Sequence, residues 1–118
     1  MAADVRPSII APFTCEVEPH RDRVVVRLSG EFDLLAVTDV EKAIGALVDV
    51  GFRQVCVDLR ALTFMDSSGL RVLMAADHSL RSVGGQLLLT RGSKPVDRLL
   101  GLTGTDKVFA FEARPAGR

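Results

Sequence analysis

Asp66-Ser67-Ser68-Gly69 is the segment of this chain whose residue types and spacing most invite chemistry. A carboxylate and two hydroxyls follow an extended apolar run and precede residues with helical spacing. A serine so placed stands at a helix N-terminus, where unpaired backbone N–H groups and the macrodipole favour negative charge. A phosphate attached there would be tolerated by the fold and could gain hydrogen bonds. The plainer reading is that Asp66, Ser67 or Ser68 caps the helix. A second small, polar loop, Gly30-Glu31-Phe32-Asp33, ends an earlier strand pattern. Asp33 either caps the next helix or helps form a polar site beside Ser67, and capping is the simpler role.

Other chemistries find less support. A serine hydrolase of the α/β type wants Gly-x-Ser-x-Gly at its strand-to-helix turn, and Phe64-Met65-Asp66-Ser67-Ser68-Gly69 lacks the leading glycine. The two histidines are placed poorly for a base: His20 falls in an opening hairpin turn and His78 on the polar side of a helix. No paired carboxylates, metal-type cluster or Gly-rich loop ending in Lys-Ser or Lys-Thr is present in the sequence. No catalytic residue, metal or cofactor is therefore expected. Cys15 and Cys56, the only cysteines, lie in apolar, strand-like runs and read as inert core thiols.

The elements that position these loops can be read from hydrophobic period. Phe13, Cys15 and Val17 alternate with Thr14, Glu16 and Glu18, a half-buried strand. After turn chemistry at 19–22, a second strand runs from Arg23 to Ser29, with Val24, Val26 and Leu28 on one face. Gly30 to Asp33 breaks the alternation. Val37, Val40, Ile44, Leu47 and Val48 then share a helical face, closed by Gly51. Val55 to Leu59 suits a strand covered on both faces, and Ala61 to Met65 leads into the Asp66 turn. A second helix spans about 68–83, with Gly69, Leu73, Ala76, Leu80 and Val83 as its apolar stripe. Leu70 and Met74 lie beside that stripe, either packed on a loop or exposed for a partner. Gln86 to Thr90 is a strand, Ser93 with Pro95 starts a third helix, Gly104 ends it, and Val108 to Phe111 is a last strand.

The order ββαβαβαβ defines one α/β domain with a mixed sheet, its helices packed mainly on one face. Residues 1–11 read as a flexible leader, 12–113 as the domain and 114–118 as a tail. Fifteen basic residues balance fifteen acidic ones, which argues against direct nucleic-acid binding. No apolar run is long enough to span a bilayer, and residues 1–12 lack the pattern of a signal peptide. A cytoplasmic protein, monomeric or weakly dimeric, is expected.

The segment from Val57 to Leu70, ending Phe64-Met65-Asp66-Ser67-Ser68-Gly69-Leu70, resembles the signature of STAS domains, most closely the single-domain anti-sigma factor antagonists of bacteria. Leu28-Ser29-Gly30-Glu31-Phe32-Asp33 and Val83-Gly84-Gly85-Gln86-Leu87 agree in order and spacing, so the likeness runs from about Phe13 to Glu112. The resemblance implies a partner switch. The unphosphorylated antagonist binds an anti-sigma factor that is also a serine kinase, and so frees a sigma factor. The kinase phosphorylates the serine after the motif aspartate, here Ser67, and a serine phosphatase resets the complex. The implied partner surface comprises Asp33, Asp66, Ser67, Ser68, Gly69, Leu70 and Met74. A STAS scaffold subunit of another signalling or transport-regulating assembly is the alternative, with a small serine hydrolase behind it. The family's final C-terminal helix is expected to be absent, since only 113–118 follow the last strand.

Overall fold

A computed structural model describes residues 12–112; the expected leader and tail lie outside them. Five strands form one sheet in chain order: β1 (Thr14–Pro19), β2 (Val24–Phe32), β3 (Gln54–Met65), β4 (Gln86–Leu89) and β5 (Ala110–Phe111). The β1–β2 hairpin is antiparallel and every later pairing is parallel. The parallel pairs are joined by α1 (Val37–Asp49), α2 (Ser67–Ser82) and α3 (Lys94–Thr103), which is the expected ββαβαβαβ order.

One main core explains this arrangement. Val24, Val26 and Leu28 of β2, Val55, Val57 and Leu59 of β3, and Leu87 and Leu89 of β4 share one sheet face. Against them pack Val40 and Ile44 of α1, Leu73 and Leu80 of α2, and Val96 and Leu100 of α3. The other face holds a narrow apolar strip of Val25, Cys56 and Leu88 among charged side chains. Burial pushes the Cys56 thiol up to about 12, so it is a core hydrophobe rather than a nucleophile. Burial also raises Cys15, with the nearby Asp39 charge adding to the effect.

Three elements depart from the sequence expectation. β2 continues through Gly30 to Phe32. Gly30 sits at φ +91°, and an added Cβ would stand 3.0 Å from the backbone of Pro12 and Phe13. Only glycine lets the strand pass there, so its break in alternation marks a close approach, not a strand end. β3 runs unbroken for twelve residues. Its register against β2 slips twice, between Arg27 and Ser29 and between Gly30 and Glu31. Each slip adds a residue to β3, and its buried positions change to Leu59, Leu62 and Met65, a spacing of three instead of two. The last strand shortens to Ala110–Phe111 because Thr105–Lys107 forms a 3-10 turn and the Phe109 N–H still bonds to Thr105 O at 3.1 Å.

The helices follow their caps. α1 closes through Gly51, with the Phe52 N–H on Leu47 O at 3.0 Å and the Gly51 N–H on Val48 O at 3.1 Å, a Schellman motif. α3 starts after Ser93, but that hydroxyl makes no cap bond; Asp97 instead accepts from the Gly92 N–H at 2.8 Å. Val83 is not part of the α2 stripe: it comes after the last helical residue and is exposed.

Candidate functional site

The site is the polar rim where β2 and β3 deliver their carboxyl ends. Phe32 pairs with Met65 across the parallel ladder, and the Asp66 N–H bonds to Phe32 O at 3.3 Å. Asp33 and Asp66 therefore leave neighbouring strands side by side. Both carboxylates act as N-caps. Asp33 accepts the Leu35 N–H at 3.1 Å and starts a 3-10 turn, Leu34–Ala36, that leads into α1. Asp66 accepts the Ser68 and Gly69 N–H groups at 2.9 and 3.3 Å and starts α2. Asp33 thus takes the capping role, at a strand end that adjoins the one leading into Asp66.

This geometry fixes which residue caps α2. Asp66 is the cap, Ser67 is the first helical residue and exposed, and Ser68 is half-buried in the first turn. The expectation that a phosphate would find open N–H groups needs correction, because the Asp66 carboxylate already holds two of them. A phosphate on Ser67 would keep the favourable helix dipole but stand beside a carboxylate, pointing outward.

The first turn of α2 lies hard on the sheet. A Cβ on Gly69 would meet Phe32 O, Phe32 Cγ and Met65 Cγ, each at 2.9 Å, so glycine is required by close approach. Leu70 is only 7% exposed and belongs to the main core. Of the two readings of Leu70, packed or exposed for a partner, the exposed one fails: the buried face of α2 is wide, taking in Leu70 and Val72 as well as Gly69, Leu73, Ala76 and Leu80. Met74 is 43% exposed. Ser67, Arg71, Met74 and His78 are all exposed and recur at helical spacing, an outward stripe that begins at the serine.

The flanks differ in charge. On the α1 side, Glu31, Asp33 and Asp39 line a shallow depression with Leu35 and Ala36. On the α3 side, an open groove of about 620 Å³ is lined by Phe64, Met65, Leu99 and Leu102 with Lys94 and Arg98. Leu34 and Leu35 carry no signal of their own in the sequence, yet they stand exposed beside Asp33. Only the junction of the β2 end with the 3-10 turn reveals them. Neither imidazole serves Ser67. His20 is in the hairpin turn, beyond the far end of β2, and the eight steps of that strand span about 26 Å. His78 lies eleven residues along α2, about 16 Å of helix rise. Among the described residues no His, Cys, Asp and Glu cluster could hold a metal ion, and no helix is long and apolar enough to cross a membrane.

An exposed serine on an aspartate-capped helix thus stands at the rim of a small mixed-sheet α/β domain. The family model for the STAS domain matches residues 14–116, and the chain belongs to that family. It is 34% identical over 98 residues to the anti-sigma F factor antagonist of Paenibacillus polymyxa, covering 80% of this chain and 81% of that one. The crystal structure of an anti-sigma factor antagonist from Mycobacterium paratuberculosis superposes with a TM-score of 0.78 at 33% identity, covering 87% of each chain. The Bacillus SpoIIAA structure in the phosphorylated form superposes with a TM-score of 0.67 at 26% identity, covering 87% of this chain and 93% of that one. The expected family and fold are thereby borne out.

Proposed function

We propose that this chain is an anti-sigma factor antagonist, a phosphorylation-controlled binding module without catalysis of its own, with Ser67 as its switch. The observation that carries this reading is the division of labour at the α2 N-terminus: Asp66 holds the helix, so Ser67 is exposed and free of a capping duty. Relatives named as anti-sigma factor antagonists supply the partner class, among them SpoIIAA, solved in both unphosphorylated and phosphorylated forms.

In the unphosphorylated state, Asp33, Asp66, Ser67, Ser68 and Met74 meet the anti-sigma factor, while Gly69 and Leu70 seat the helix that carries them. That partner is a serine kinase. Its bound ATP must bring the γ-phosphorus to the Ser67 hydroxyl. The serine oxygen bonds to phosphorus, the bond from phosphorus to the β,γ-bridging oxygen breaks, ADP leaves, and the hydroxyl proton passes to solvent or to a base on the kinase. The product carries about 1.5–2 negative charges beside Asp66, facing the nucleotide phosphates of the same partner. Repulsion at that point ends the complex, and a serine phosphatase restores the binding form. The module is cytoplasmic, where the kinase and ATP are found.

Incubation with the candidate kinase and ATP, then mass mapping of the modified residue, tests this reading. Phosphate on Ser67 and loss of binding afterwards are expected. Phosphate on Ser68 or elsewhere, with Ser67 unmodified, overturns the assignment.

A further inference from the structure

The turn between β2 and α1 leaves two adjacent leucines in water. Leu34 is 71% exposed and Leu35 90%, although nine other leucines among the described residues are buried in the core. Their exposure is not looseness. The Asp33 carboxylate takes the Leu35 N–H at 3.1 Å, the Ala36 N–H bonds to Asp33 O at 3.0 Å, and Ala36 is buried. Fastened at both ends, the turn pushes the leucines outward. α2 packs against this same turn, and the Asp66 N–H bond to Phe32 O sets the Ser67 helix beside it. Carboxylates flank Leu35. Glu31, Asp33 and Asp39 line the depression with Leu35, with no basic side chain among the described residues that line it, and Asp66 stands on the adjoining strand end.

We propose that Leu34 and Leu35 are an apolar anchor of the anti-sigma factor interface, seating in a pocket of the partner rimmed by Lys or Arg. Exposed leucines flanked by like charge need a partner that is apolar at the centre and opposite in charge at the edge. A second copy of this chain fits poorly, because an isologous contact through this patch would set its carboxylates against their own kind. The assignment rests on the reading of Ser67 as the switch and adds to it a division of charge. At Ser67 the partner presents nucleotide phosphates, so added phosphate repels. At the leucine turn the partner presents cations, so the acidic rim attracts and orients.

The test uses the full chain and the histidine-kinase-like ATPases encoded in the same genome, purified and titrated calorimetrically with Mg-ADP at two salt concentrations. The double variant Leu34→Ser, Leu35→Ser should keep its melting temperature within a few degrees and lose affinity at least tenfold for the ATPase that binds wild type. Asp39→Asn should flatten the decline of wild-type affinity with salt. Leu35→Met should bind like wild type, and Leu35→Ser alone replaces the double variant if that one fails to fold. Serine variants within twofold of wild type, or an affinity indifferent to salt, overturn the anchor while leaving the switch standing. A wild-type dimer that the double variant dissolves assigns the leucines to self-association and also overturns it. A wild-type chain that binds none of these ATPases removes both the switch reading and the anchor.

Discussion

Asp66 and Ser67 are neighbours with opposite structural weight. Asp66 holds two N–H groups of α2, so Asp66→Ala should cost about 0.5–2 kcal/mol of stability. Ser67 has an exposed position and no cap to lose. Ser67→Ala should therefore melt within a degree or two of wild type, bind the anti-sigma factor and resist inactivation by ATP. Ser67→Asp should also fold, since a carboxylate suits a helix N-terminus, yet bind poorly. Thermal melts and binding titrations on all three variants check this, and a Ser67→Asp variant that binds like wild type contradicts the switch. Gly69 supplies the complementary case. Its missing Cβ would sit 2.9 Å from Phe32 O, and a backbone oxygen cannot move aside as a side chain can. Gly69→Ala should destabilise by about 1–3 kcal/mol, as overpacked sites do, measured by denaturant unfolding. The motif itself was legible in the sequence. The reason for its glycine was not, because Phe32 is far away in the chain and meets Gly69 only when β2 and β3 pair.

At the scale of elements, α2 divides its work between two faces. Leu70, Val72, Leu73, Ala76 and Leu80 are buried, while Met74 is exposed on the stripe that starts at Ser67. Met74→Asp should weaken anti-sigma binding with the circular dichroism spectrum unchanged, and undiminished affinity would remove this flank from the interface. Leu70→Ala should behave in the opposite way. It should cost about 2–5 kcal/mol of stability and lower affinity only in proportion to the unfolded fraction, read from titration at a temperature well below the melt. Periodicity identified α2 and its central residues but placed Leu70 at the margin. A helix laid against a sheet buries a broader arc than a narrow stripe suggests. β3 shows the same limit in another form. A period of two held from Val55 to Leu59, then two added residues changed the spacing to three. No single-strand pattern contains that change, since a bulge is defined by the partner strand.

Across the whole molecule, the order of elements and the parallel crossovers followed from the sequence, but the polar face of the sheet did not. Asp58 falls within the apolar run Val55–Leu59, a stretch whose composition leaves no obvious place for charge. Its side turns out to be the face without the main core, and it joins three strands there. The Arg60 guanidinium binds it with Nε at 2.9 Å and Nη2 at 2.7 Å, the Arg60 N–H adds a bond at 3.0 Å, and Arg27 Nε stands 3.5 Å away. The Thr90 hydroxyl donates to the same carboxylate at 3.3 Å while accepting the Leu59 N–H at 2.8 Å, which continues the network to the end of β4. Arg27 also pairs with Glu18 of β1, and Arg23 with Glu112 beyond β5. Burial alone would raise the Asp58 carboxyl; the Arg60 bonds and charge, with the Thr90 hydroxyl, outweigh it and hold the carboxyl below its ordinary value. A carboxyl lowered in the folded state stabilises the fold fully above its unfolded value, about 3.9. That contribution fades as pH falls past this value and through the lower folded one. Asp58→Asn should therefore cost about 1–3 kcal/mol at neutral pH, since both arginines are partly exposed and water compensates them in part. The gap between variant and wild-type melting temperatures should stay constant from pH 8 to about 5. Below the ordinary carboxylate value it should narrow, because wild type then loses by protonation what the variant lacks already. Melts taken from pH 8 to about 2.5, spanning the acid side of that window, measure the gap directly, and a gap that widened in acid would mean that Asp58 is not the charge tying these strands together.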